Sequence, residues 1–160
     1  MSGTPVVRDA TNADVPAILP MVRAICSMHE ALDPPRYAML PNVVSMYESW
    51  LPARIADRNS VVLVGEADSK VVAFLVASVE TNIPIYRLDH FGFIHDVWVE
   101  PAARGRGIAK ALALRAVEKF RAIGVKQVRL ETATDNPGAR ALFTSCGFRV
   151  ANIDMLLDLE

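Results

Sequence analysis

Residues 99–120 read VEPAARGRGIAKALALRAVEKF, which sets Gly105 and Gly107 among the cations Arg104, Arg106 and Lys110, just before an amphipathic run. Glycine lets a ligand approach the backbone closely, and the first N–H groups of a helix have no intrahelical acceptor. The N–H groups from Gly105 through Ile108 to Ala109 would therefore suit an anion such as a pyrophosphate, with the three cations as outer charge. The same residues also fit a tight strand-to-helix turn whose charges are merely solvated, and two glycines do not separate these readings. A phosphate loop of the form GxxxxGK[ST] and a dinucleotide fingerprint GxGxxG are both missing from the chain.

The elements that must position this turn follow from periodicity. FGFIHDVWVEP reads as a buried strand stopped by Pro101. The segment 108–123 reads as a helix with Ile108, Leu112, Ala116, Val117 and Phe120 inward and Gly124 as its stop. KQVRLETA reads as a strand with Val128 and Leu130 on one face and Arg129 and Glu131 on the other. NPGARALFTSCGF offers Asn136 as helix cap and Pro137 at the first helical position. Upstream, PVVRDA reads as a strand, and Thr11 and Asp14 have capping-box spacing. Pro16 and Pro20 predict an irregular first helix, and residues 42–57 a second one. SVVLVGEAD and SKVVAFLVASVE read as a hairpin turning at ADSK. RVANIDMLLDLE is long enough for one or two closing strands.

The sequence has 160 residues, enough for one domain, 1–160, that would bury roughly 70% of the surface its unfolded chain exposes. Seventeen Lys plus Arg against eighteen Asp plus Glu give a formal charge of -1, without the basic excess of a general nucleic-acid binder. Cys26 and Cys146 form neither a disulfide framework nor a metal-ligand pair, which predicts a reducing, cytoplasmic setting and no metal. The opening MSGTPVVRDATNAD is too polar for a signal peptide. No apolar run approaches the roughly 20 residues a membrane helix needs.

Together, VWVEPAARGRGIA and TDNPGARALFTSCGF resemble the two cofactor-binding regions of the GCN5-related N-acetyltransferases (GNAT family). Arg104, Gly107 and Ala109 match the family's R/Q-x-x-G-x-G/A motif. The resemblance extends over almost the whole order of elements. It implies a single-domain α/β fold with a mixed, mostly antiparallel central sheet flanked by helices. Its co-substrate would be acetyl-coenzyme A, used without a metal. Val97, Trp98 and Val99 would make strand-like contacts to the pantetheine arm, residues Arg104 to Lys110 would enclose the pyrophosphate, and Asn136, Ala139 and Phe143 would lie beside the arm.

Attack of a neutral amine on a thioester needs a proton acceptor, alignment and donors for the carbonyl oxygen. Glu131 is the leading acceptor, because it resembles the glutamate of some peptide N-terminal acetyltransferases. A charged strand residue paired with a basic neighbour is the plainer reading. His95 ranks next and His90 below it. The adjacency of His95 and Asp96 places them on opposite strand faces. Phe143 replaces the tyrosine that protonates the leaving thiolate in many relatives, so that acid is missing here. Cys146 is more readily a packing residue than a donor. For the acceptor, Tyr37, Tyr47, Trp50 and Tyr86 offer apolar walls, and Glu30, Asp33 and Glu48 offer negative charge. A small-molecule amine is favoured over a short peptide, with no nucleic acid or membrane partner, and exposed edges allow a homodimer. A non-catalytic acetyl-coenzyme A sensor is the competing class.

Overall fold

The computed structural model describes residues 4–159. A short strand, β1 (Val6–Asp9), leads through a 3-10 turn (Asn12–Asp14) into helix α1 (Val15–Leu32). A single helical turn, α2 (Pro34–Tyr37), and helix α3 (Val43–Ala56) follow. Strands β2 (Ser60–Ala67), β3 (Lys70–Thr81) and β4 (His90–Val99) come next. Helix α4 (Ile108–Ile123), strand β5 (Val128–Leu130) and helix α5 (Pro137–Ser145) follow them. The five strands lie in sequence order, antiparallel from β1 to β4, with β5 parallel to β4. The expected mixed, mostly antiparallel sheet flanked by helices is the observed fold.

Alternation along the strands divides the core in two. Val62, Val64, Phe74, Val76 and Trp98 pack under α1 and Leu51 of α3. Val61, Leu63, Leu75, Ala77 and Ile94 pack under α4 and Phe143 of α5. Asp68 and Ser69 both take positive φ, so the β2–β3 turn has the left-handed pair that matches strand twist. Helix α4 ends at Gly124, whose φ of 101° is the left-handed stop expected of it.

Two expectations need correction. Helix α1 is continuous rather than irregular. Pro16 sits in its first turn, where a missing N–H costs nothing, and Pro20 lies on an exposed face while Ile18, Met21, Val22 and Ile25 bury the opposite one. The closing strands expected in RVANIDMLLDLE do not form: residues 149–159 make no strand and all are exposed.

Two close contacts fix the frame. Arg8 of β1 grips Asp14 with both guanidinium nitrogens at 2.8 Å and also bonds Glu66 of β2, while the Thr11 N–H donates to Asp14 Oδ2 at 2.7 Å. Gly65 of β2 lies beneath the first residue of α4, where an added Cβ would meet Ile108 Cγ2 at 2.6 Å and Ala73 Cβ at 3.1 Å. The helix can sit this close only over a residue without a side chain.

The Arg8 guanidinium, ahead of the Thr11 donors, lowers the Asp14 pKa from 3.8 to about 2. A carboxylate with a lowered folded pKa contributes fully above its unfolded value and loses that contribution as pH falls through the folded one. Asp14→Asn is thus expected to cost about 2 kcal/mol at neutral pH. The gap from the parent should close between pH 3.8 and about 2, as read by denaturant midpoints across acid pH. Gly65→Val is expected to cost about 1–3 kcal/mol by overpacking and to lower the melting temperature by several degrees, measured by calorimetry.

Candidate active site

The site is built on β4. Its pairing with β3 runs from Thr81↔His90 to Ala73↔Val99, but its pairing with β5 covers only Gly92, Phe93 and Ile94. Beyond Ile94 the two strands part. Glu100 N–H donates to Val72 O at 2.8 Å, and hydrogen-bonding direction alternates along an antiparallel pair. Trp98 therefore points its backbone at β3, while Val97 and Val99 point theirs into the gap. Arg104 Nε donates to Val99 O at 3.0 Å from that open side, as the alternation requires.

The glycine-rich turn closes one end of the gap. Gly105 and Gly107 have φ of 76° and 77°, with nothing within 4 Å of an added Cβ, so backbone conformation rather than crowding demands glycine there. Gly107 caps α4, and the first intrahelical bond of this turn runs from Ala111 N–H to Gly107 O. The N–H groups of Ile108, Ala109 and Lys110 thus precede the helix's own acceptors, at the positive end of its dipole. Arg104 folds back with its guanidinium 4.8 Å above the buried Trp98 ring, and Arg106 leans 3.9 Å from Asp68 of the β2–β3 turn. Lys110 is exposed on the first turn of α4. These features fit a pyrophosphate bound by backbone, with a strand-like arm along Val97 and Val99.

On the far side of the gap, α5 begins with Asn136 Oδ1 accepting from Ala139 N–H at 3.1 Å. Arg140 donates to Ala133 O and Thr134 O, which pins the loop from β5. Phe143 is 8% exposed and packs edge-on against Phe148, so its ring forms core beneath the gap. Cys146 caps α5 through its N–H to Leu142 O and Phe143 O.

The opposite sheet face departs from expectation. The register shifts by one residue between Val76↔Asp96 and Ala77↔Ile94, which makes His95 the extra residue of a bulge. A bulge breaks side-chain alternation, so His95 and Asp96 share a face instead of lying on opposite ones. On that face Ser78 Oγ lies 2.6 Å from Glu80 Oε1 and 2.7 Å from His95 Nε2, and Nε2 is 3.3 Å from Glu80 Oε1. Ser78 has one hydroxyl proton. Donated to Glu80, it leaves Oγ as the acceptor of a proton on Nε2, and the lone pair of His95 then resides on Nδ1.

Beside it, Tyr47 of α3 donates to Asp96 Oδ2 at 2.7 Å. Burial raises the Asp96 pKa despite the opposing Tyr47 bond and His95, and burial raises Tyr47 as well. Burial also raises the Cys26 thiol and lowers His29, so the base of this face disfavours charge other than one compensating Asp96.

Glu131 follows β5 and stands apart from this group. It is 69% exposed and lies 3.6 Å from Arg36, whose Nε is 3.4 Å from Asp154. His90 pairs with Asp89 at the start of β4. Of the residues expected to draw an ammonium group, Glu30 instead accepts from Met39 N–H and Asp33 from Arg36 N–H, so both hold the α1–α3 connection. Tyr37 stacks on His29 and Tyr47 meets Trp50 edge-on. Ser78 and Glu80 escaped the sequence reading, although their i, i+2 spacing on a strand puts them on one face. Among the described residues no group of three or more His, Cys, Asp and Glu could hold a metal ion, and no helix is long and apolar enough to cross a membrane.

A mycothiol acetyltransferase of Sanguibacter keddieii is 30% identical over 123 residues, covering 74% of this chain but only 38% of that protein. The crystal structure of a mutant BH1408 protein from Bacillus halodurans aligns with a TM-score of 0.85 at 22% identity, over 97% of this chain and 99% of that one. A predicted acetyltransferase from Clostridium acetobutylicum, solved with acetyl-CoA, has a TM-score of 0.73 at 19% identity and covers 97% and 96% of the two chains. The family model described as Acetyltransferase (GNAT) family matches residues 25–148, which include the open edge of β4, its glycine-rich turn and α5, and the chain belongs to that family.

Proposed function

We propose that this chain transfers an acetyl group from acetyl-coenzyme A to a primary amine of a small cationic molecule, by direct attack in a ternary complex. The observation that carries this reading is the open edge of β4, which has the Val97 and Val99 backbone groups on one side and the bulge carrying His95 and Asp96 beside it.

Acetyl-coenzyme A supplies an activated acyl group with a thiolate leaving group. The chain's residues do the rest. The N–H groups of residues 105–110 hold the diphosphate, and Arg104 braces the turn against Trp98 and Val99. Val97 N–H donates to the thioester oxygen as negative charge develops there. Nδ1 of His95 takes the proton of the attacking amine, directly or through one water, and the Glu80 carboxylate stabilises the resulting imidazolium through Nε2. Carbon–nitrogen bond formation then expels the thiolate. Phe143 has no proton to give, so solvent protonates coenzyme A.

This geometry favours His95 over Glu131 as proton acceptor. His95 is held by Ser78 and Glu80 in a network that directs a proton to Nε2, whereas Glu131 is more exposed and ion-paired to Arg36. The Glu80 carboxylate beside His95 favours an ammonium-bearing molecule on this face. The small-molecule relatives are consistent with that choice, since an aminoglycoside 6'-N-acetyltransferase of Acinetobacter haemolyticus shares the fold with a TM-score of 0.72.

Free-thiol release from acetyl-coenzyme A should depend on an added amine, with polyamines and aminoglycosides ahead of short peptides and a matching acetyl mass on the acceptor. His95→Gln should lower kcat by about 10²-fold or more with little change in coenzyme A affinity. Glu131→Gln should change kcat less than His95→Gln and act mainly on the acceptor KM. Coenzyme A binding without amine-dependent release across the panel would replace this reading with a sensor, and preferred acetylation of peptides would replace the acceptor class.

A further inference from the structure

Strand β4 carries two large aromatic side chains beside His95. Phe91 and Phe93 lie on the sheet face that holds His95, with Phe93 opposite Ser78 and Phe91 opposite Glu80 in the β3 register. The three rings form a ladder along the strand. The Phe93 and His95 centroids are 5.0 Å apart at 54°, and those of Phe91 and Phe93 are 6.4 Å apart at 68°. Both phenylalanines are partly exposed, and neither belongs to the core under α1 and α3 or to the core under α4. Apolar ring surface that the fold leaves in water is surface a ligand can bury.

The two ends of the ladder differ in charge. At one end Glu80 Oε1 lies 3.3 Å from His95 Nε2, so negative charge adjoins the imidazole. At the other end the Arg129 guanidinium lies 4.0 Å from the centre of the Phe91 ring, with its Nε donating to Gln127 Oε1 at 2.7 Å. Arg129 is also the register neighbour of Phe93 on β5. Phe91 already carries a cation, and Phe93 is the ring between that cation and His95. A second ammonium group on Phe93 would meet the charge of Arg129. A neutral aromatic ring meets no such repulsion and packs offset or edge-on, as aromatic pairs do.

We propose that Phe93 selects the acetyl acceptor by packing against one aromatic ring of its body, so that the preferred substrate is a primary amine joined to a single ring by a tether of about two or three carbons. The inference rests on the reading of His95 as the proton acceptor. The short tether follows from distance: an amine within hydrogen-bond reach of the imidazole and a ring on Phe93 are separated by little more than the 5.0 Å between those two side chains. Arg129 closes the far end of the ladder, which limits the body to one ring. Glu80 provides the countercharge for the ammonium group before it loses its proton.

Acetyl transfer to phenethylamine and to n-butylamine, which carry the same single charge, isolates the ring. The parent should favour phenethylamine by about tenfold in kcat/KM. Phe93→Ala should remove that preference by raising the KM for phenethylamine more than it lowers kcat, while coenzyme A still raises the melting temperature. Phe93→Trp should keep the preference. A second arm needs no turnover: calorimetric binding of phenethylamine to the protein saturated with coenzyme A should weaken by about tenfold in Phe93→Ala. Such Phe93-dependent binding without any acetyl transfer would remove the proposed reaction and leave the ring site standing. Equal turnover of the two amines, a preference that survives Phe93→Ala, or no binding of phenethylamine to the parent would overturn the ring site.

Discussion

Strand β4 is held along one edge for its full length and along the other for only three residues. That inequality sets the rest of the site. Pairing with β3 fixes which backbone groups point away, so Val97 and Val99 offer theirs to whatever enters the gap. The extra residue at His95 bends and twists the strand where β5 departs, as bulges do. A regular strand could have carried β5 further, but it would have had no exposed backbone to offer. The glycine turn then inherits its position from the strand end, and α4 settles directly over Gly65 because no side chain holds it off.

Polar groups gather where this irregularity lies. Most of the α1–α3 face is aliphatic, and Ser78 is a buried polar residue within it. Its hydroxyl joins His95 to Glu80, and Tyr47 meets Asp96, so the buried Ser78 and Asp96 side chains each have a side-chain partner. A buried carboxylate with one tyrosine bond remains costly in its charged form, and burial raises the Asp96 pKa accordingly. Apolar residues at these positions would give a drier core without the polar side chains that this face now gathers. The frame that tolerates this cost lies elsewhere, in the Arg8–Asp14–Glu66 cluster and in the tight packing of α4.

Much of the fold was legible because its signals are local. The α4 stripe, its Gly124 stop, the Asn136 cap and the Asp68–Ser69 turn each depend on residues within a few positions of one another. The continuous course of α1 was less legible. Whether a proline breaks a helix depends on its place in the first turn and on the burial of the opposite face, and the second of these is a tertiary property. The closing strands expected in RVANIDMLLDLE were misread, because length alone does not make a strand: it also needs a partner edge, which is a tertiary property.

The two glycines at 105 and 107, the cations around them and the amphipathic run behind them determined by themselves that a tight glycine turn would precede a helix, because backbone freedom and helix period are properties of short segments. The pairing of His95 with Ser78 and Glu80, and its side of the sheet, were decided only in the tertiary structure. A bulge is a mismatch between two strands: one additional residue in β4 against β3 reverses the alternation that β4 would follow alone. Exposure of Glu131 and its capture by Arg36 were likewise fixed by where β5 ends and α2 begins, a distance across the fold that no local spacing encodes.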